Sequence, residues 1–129
     1  MKLFTILLCL FPLLALAELP PSAYESMQAK APEYLKIEVL RVDVAPGETP
    51  TEQTVHIVAL VTSVMRTKSD LKPDEIINIF YILKEQPKGW VGPGAIPLLK
   101  ERDQTVAYLS RRETGDFDPA AGRMSFSNF

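Results

Sequence analysis

Tyr34-Leu35-Lys36-Ile37-Glu38-Val39-Leu40-Arg41-Val42-Asp43-Val44 is the stretch on which the fold turns. Leu35, Ile37 and Val39 alternate with Lys36 and Glu38, the period-2 pattern of a strand with one buried face. After Val39 the phase slips, and Leu40, Val42 and Val44 become the apolar set against Arg41 and Asp43. In an unbroken strand one triplet would face water, at a cost on the order of 5–9 kcal/mol. A β-bulge or sharp bend at Val39-Leu40 lets both triplets be buried. A long first strand that changes face midway suits a barrel, where one strand serves two sheets.

Working outward, Ala45 to Glu52 is a turn rich in Pro, Gly and Thr. Thr54 to Met65 reads as the second strand, with Val55, Ile57, Ala59 and Val61 on one face. His56, Val58 and Leu60 lie on the other, so its middle is expected to be buried on both sides. A hairpin centred at residues 48–49 would put His56 near Arg41. Glu75 to Leu83 is the third strand; its four Ile and adjacent aromatics outweigh a competing helix. Lys84 to Pro97 carries three Pro and three Gly and cannot be a long helix, and Leu98-Leu99 is expected to tuck under the core. Thr105 to Ser110 is the fourth strand, Arg111 to Pro119 a polar turn, and Arg123 to Phe129 a short fifth strand.

Upstream, residues 18–33 form a lead-in. Ser22 with Glu25 would make a capping box for a short helix closed by Pro32; a loosely docked tail is the alternative. Five strands without alternating helices predict an all-β fold: a small five-stranded OB-like barrel with a short N-terminal helix or tail. A sandwich would usually want seven strands. The chain shows no internal repeat and no boundary after residue 17, so residues 18–129 form one domain.

Within residues 34–110, a Val-rich strand is followed by Ser69-Asp70-Leu71-Lys72-Pro73-Asp74-Glu75 and then Ile76-Ile77-Asn78-Ile79-Phe80-Tyr81. Ile96-Pro97-Leu98-Leu99, a polar turn and Val106-Ala107-Tyr108-Leu109 come later. This pattern resembles the netrin-module and tissue-inhibitor-of-metalloproteinases domains, which are barrels of the oligonucleotide/oligosaccharide-binding kind. The resemblance implies a fold and no activity. The inhibitors chelate a protease metal through an N-terminal Cys, and the only cysteine here is Cys9, within the leader.

That leader is residues 1–17. Lys2 is followed by an apolar run from Leu3 to Leu16, and Ala15-Leu16-Ala17 forms a cleavage site. Together these make a secretory signal peptide, with a run shorter than the ~20 residues that span a bilayer. Cleavage after Ala17 would leave a disulfide-free mature chain without a transmembrane span. Neither Asn78 nor Asn128 begins an Asn-x-Ser/Thr site. The expectation is a secreted or periplasmic protein, with a bacterial envelope favoured.

The remaining chemistry is sparse. The net charge of -2 leaves no basic excess to neutralise phosphates, so nucleic acid is not an expected partner. One His and no Cys after cleavage make no metal site, and no cofactor is expected. Asp70, Asp74 and Glu75 match no calcium-loop spacing, and they read with Asp116 and Asp118 as solvated acidic turns. His56 is the one candidate base. Ser63, seven residues along the same strand, lies about 23 Å away by strand rise. His56 is therefore expected to be a half-exposed strand residue, and Arg111-Arg112 with Glu113, Asp116 and Asp118 a self-neutralised turn.

Lys88-Gly89-Trp90-Val91-Gly92-Pro93-Gly94 holds the only Trp. Trp90 either stacks on a ligand or plugs a barrel end; with Tyr81 and Tyr108 it would make a stacking surface if the three converge. The sequence therefore predicts a non-enzymatic binding or interaction module of the cell envelope, for an unknown protein or small ligand. A small secreted enzyme using His56, or a structural envelope-assembly protein, are the alternatives.

Overall fold

The computed structural model describes residues 19–86, 89 and 94–128. The leader and Trp90 lie outside the described residues. The rest is a closed five-stranded barrel with one short helix: α1 (Pro21–Lys30), β1 (Glu33–Pro46), β2 (Glu52–Arg66), β3 (Ile76–Lys84), β4 (Gln104–Arg111), β5 (Phe117–Pro119) and a 3₁₀ turn, Gly122–Met124. The strand order is β1-β2-β3-β5-β4, closed by β4 on β1. All neighbours are antiparallel except β3 and β5, which run parallel.

The bulge lies where the phase slip requires it. Val39 pairs with Ala59 and Arg41 with Val58, leaving Leu40 as the extra residue. Leu35, Ile37 and Val39 are buried, and Val42 also packs against the core. The second triplet is not buried as a set. Leu40, as the inserted residue, is 42% exposed, and Val44, near the hairpin end, is 43% exposed. The inner face of β2 is Val55, Ile57, Ala59 and Val61, all fully buried. Its outer face, with Val58 and Leu60, is only half-buried, and among the described residues no second sheet packs on it.

Three further expectations are corrected. Ser22 does not cap the helix: α1 starts at Pro21 after Pro20, without a side-chain cap bond. Prolines suit this start because the first helical N–H groups have no intrahelical acceptor. The fifth strand is Phe117–Pro119, inside the segment read as a turn, with Phe117 buried. Of the segment Arg123 to Phe129, the described residues 123–128 form no strand. Ser125 Oγ donates to Gly122 O at 2.7 Å and accepts from Ala121 N at 2.9 Å, which folds the chain into a 3₁₀ turn. Leu99 is buried as expected, whereas Leu98 is 47% exposed.

The two chain ends of the barrel lock together. Gln28 on α1 donates from Nε2 to Met124 O and Ser127 O, each at 2.8 Å. Thr105 Oγ1 donates to Phe126 O, and Phe126 enters the core beside Tyr81. At the other end of the lead-in, the fully buried Glu33 accepts three bonds at Oε1, from Thr67 Oγ1 and the N–H groups of Lys68 and Ser69. These anchor the β2–β3 connection to the start of β1.

Candidate functional site

β2 and β3 pair with His56 opposite Phe80, Val58 opposite Asn78 and Thr54 opposite Ile82. Because Ile77, Ile79 and Tyr81 turn inward, the even-numbered residues of β3 face outward. The His56 and Phe80 rings stack at 4.3 Å between centroids and 9° between planes. From the β4–β5 turn, the Arg112 guanidinium lies over the same Phe80 ring at 6.0 Å, within cation–π range. Arg112, Phe80 and His56 thus form a row across the barrel's outer wall.

Local geometry holds each end of that row. Arg112 N donates to Asp116 O at 2.8 Å, and Gly115 turns the chain at φ +92°. Arg112 Nε then meets Asp116 Oδ1 at 3.3 Å, while Thr114 Oγ1 donates to the same oxygen. At the far end, His56 sits opposite Asp43 rather than Arg41, because the hairpin is centred one residue later than expected. Its Nε2 is 2.8 Å from Asn78 Oδ1 and its Nδ1 is 4.0 Å from Asp43 Oδ2. Arg41 pairs with Asp43 instead, at 2.9 Å.

A cavity of about 540 Å³ opens beside the row, lined by Thr54, Phe80, Tyr81, Ile82, Arg112, Asp118 and Pro119. It combines an aromatic face, an exposed aliphatic side chain, a cation and a carboxylate. That mix suits a ligand with an apolar body and a few polar groups. A cavity of about 370 Å³ elsewhere, beside Lys36, Thr62 and Gln104, has no aromatic ring in its lining.

The structure does not bring Tyr81 and Tyr108 together. Tyr81 belongs to the main core, with its hydroxyl donating to Pro97 O at 2.9 Å. Tyr108 lies on the other side of β4, in the small cluster with Ala31 and Ala121. It stacks on Tyr34 at 4.5 Å and donates to Asn128 Oδ1 at 2.6 Å. Burial pushes both hydroxyls up to about 12, and the neighbouring Tyr34 adds to the effect at Tyr108.

Phe80, Ile82 and Arg112 were not singled out by sequence. Alternation about the inward Ile77, Ile79 and Tyr81 could have turned Phe80 outward. Nothing local announces that Arg112 reaches it, since that needs the contact between β3 and β5. Among the described residues no three His, Cys, Asp or Glu side chains converge as metal ligands. No described helix is long and apolar enough to cross a membrane. No family model, no curated protein and no solved structure matches the chain.

Proposed function

We propose that the chain is an exported, non-enzymatic binding module of the cell envelope whose ligand seats on the outer wall formed by β2 and β3. The observation that carries this reading is the Phe80 ring, held between His56 and Arg112 at the edge of an open cavity. Strand order and the parallel β3–β5 contact support an oligonucleotide/oligosaccharide-binding barrel, whose strand 2–3 face and flanking loops commonly hold ligands. The likeness to netrin-module and metalloproteinase-inhibitor domains enters as one of fold alone. The signal-like leader supports export.

The test begins with fractionation of the expressing cell, where the expected product is an exported chain lacking residues 1–17. A full-length cytosolic product would refute export. Isotope-labelled protein is then titrated with fractionated envelope extract. The expected result is a shift of the Phe80, Ile82 and Arg112 amide signals, with affinity reduced tenfold or more in Phe80→Ala and Arg112→Ala. Turnover of an extract component that His56→Ala alone abolishes would instead favour the enzyme.

A further inference from the structure

Tyr34 and Tyr108 stand directly opposite each other on β1 and β4, the two strands whose pairing closes the barrel. Their neighbours Leu35, Ala107 and Leu109 are fully buried in the core, so both rings project from the outer side of the wall. Directly opposed side chains on one face run side by side. The two rings are accordingly parallel, with 4.5 Å between centroids and 12° between planes, and their hydroxyls are at the same end. Burial, and then the Tyr34 hydroxyl, holds the Tyr108 phenol above its ordinary value, which agrees with hydroxyls that lie together.

The two rings differ in access. Tyr108 is 5% exposed, packs against Ala31 and Ala121, and donates from its hydroxyl to Asn128 Oδ1 at 2.6 Å. Tyr34 is half-buried. The Arg66 guanidinium lies 5.8 Å from its centroid and is fixed there by the carbonyls of Gln28 and Ala31. Tyr34 is thus the ring that an oxidant reaches, and Tyr108 is the ring it meets. The other two tyrosines have different neighbours. Tyr81 meets Phe126 inside the barrel, and Tyr24 lies under the Arg123 guanidinium.

We propose that Tyr34 and Tyr108 are an oxidative modification site, at which a one-electron oxidant generated from hydrogen peroxide joins the two rings by a Cε–Cε bond. Each phenol gives up one electron and its hydroxyl proton, and the unpaired spin spreads to the Cε carbons beside the phenolic carbon. In rings stacked parallel and pointing the same way, those carbons are about as far apart as the centroids. A bond forms between them. Each bonded Cε then sheds its hydrogen as a proton, and each oxygen regains one. The two electrons and two protons released overall reduce one hydrogen peroxide to two waters. Tyr34, being half-buried, has room to turn as the new bond draws the rings out of the stack. The product ties β1 to β4 covalently, in a chain whose single cysteine can form no internal disulfide. The inference goes beyond the binding-module reading and does not depend on it.

The test treats the full chain with hydrogen peroxide and a haem peroxidase under conditions that couple free tyrosine. Dityrosine fluorescence, intact mass and linked peptides are read. The expected product is a monomer that has lost two hydrogens, in which the peptides containing Tyr34 and Tyr108 are joined. Tyr34→Phe and Tyr108→Phe each keep a ring in the stack and should lower the fluorescence tenfold or more. Tyr24→Phe and Tyr81→Phe should leave it within twofold. If a variant does not fold, the linked peptides of the unaltered chain decide. The same linked peptides are expected in chain recovered from expressing cells challenged with hydrogen peroxide.

No dityrosine while free tyrosine couples overturns the inference. So do links that join two chains, links through Tyr24 or Tyr81, and ring hydroxylation in place of coupling. Absence of the linked peptides from the challenged cells overturns it as well.

Discussion

The β1–β2 hairpin and the β3–β5 seam belong to one barrel and are built in opposite ways. The hairpin ladder runs from Tyr34↔Arg66 to Pro46↔Gln53, absorbs a bulge at Leu40, and lines its inner face with fully buried aliphatic residues. The seam has one pair and cavities of about 540 and 290 Å³ on its flanks. The hairpin wall supplies burial, the dominant favourable term in folding. The seam contributes one ladder pair and leaves the Phe80 ring and Ile82 on the outer surface. Rigid scaffolds commonly place their functional surfaces where little stability is at stake, which is where the proposed ligand site lies.

The contrast breaks most visibly at Ile57, which is fully buried on β2. Ile57→Ala should cost about 2–5 kcal/mol, through lost burial and the cavity left behind. Urea unfolding followed by tryptophan fluorescence and circular dichroism measures it. A cost below about 1 kcal/mol would remove the claim that this wall carries the fold.

Gln28 is next. Gln28→Ala removes the donor shared by Met124 O and Ser127 O, and should cost about 1–3 kcal/mol. Faster amide exchange across residues 120–128, with β2 and β3 unchanged, would show that the loss is local to the docked tail.

An alkaline titration sharpens the distinction between buried rings and the exposed row. Tyr81 and Tyr108 are both raised above their ordinary value of 10 to about 12. Their native pockets favour the neutral phenol, so this contribution is fully present below pH 10. It declines as pH rises from 10 through about 12, because the unfolded chain releases these protons first. The melting temperature should fall across that window, and phenolate absorbance should show Tyr81 and Tyr108 titrating late. Tyr81→Phe should flatten part of the decline.

The smallest effect is expected at the seam. Ile82, 53% exposed, should change stability by no more than about 0.5 kcal/mol as Ile82→Ala. A loss comparable with that of Ile57→Ala would mean that β3's outer face is structural, and it would erase the division between the two regions.

The strands legible in the sequence were those whose signal is local. The alternations of Leu35-Ile37-Val39 and Val55-Ile57-Ala59-Val61 need only one buried face to be informative, and they mark β1 and β2 within a few residues. The phase slip located the bulge for the same reason. β5 was missed because three residues are too short for a period to register, and its pairing with β4 and β3 is non-local. The segment Arg123 to Phe129 reads as a strand in sequence, with Met124 and Phe126 alternating, yet its described residues are not one. Ser125 diverts that backbone into a turn through bonds that composition does not reveal.

The candidate site was legible only in part. His56 was placed correctly as a half-exposed strand residue, and Arg112 as one member of a turn that pairs internally. Tyr81 and Tyr108 are assigned to opposite faces of the barrel wall by the way β4 sits in it.

By itself, then, the sequence determined an all-β chain with a long bulged first strand, because hydrophobic periodicity reports which face each strand buries. It also determined that one cysteine cannot form an internal disulfide. Only the tertiary structure decided that β5 touches β3 at one residue and that Arg112 lies over Phe80. Each of those depends on bringing residues more than thirty positions apart into register. That placement is set by barrel closure and core packing, which the pattern along any one segment does not encode.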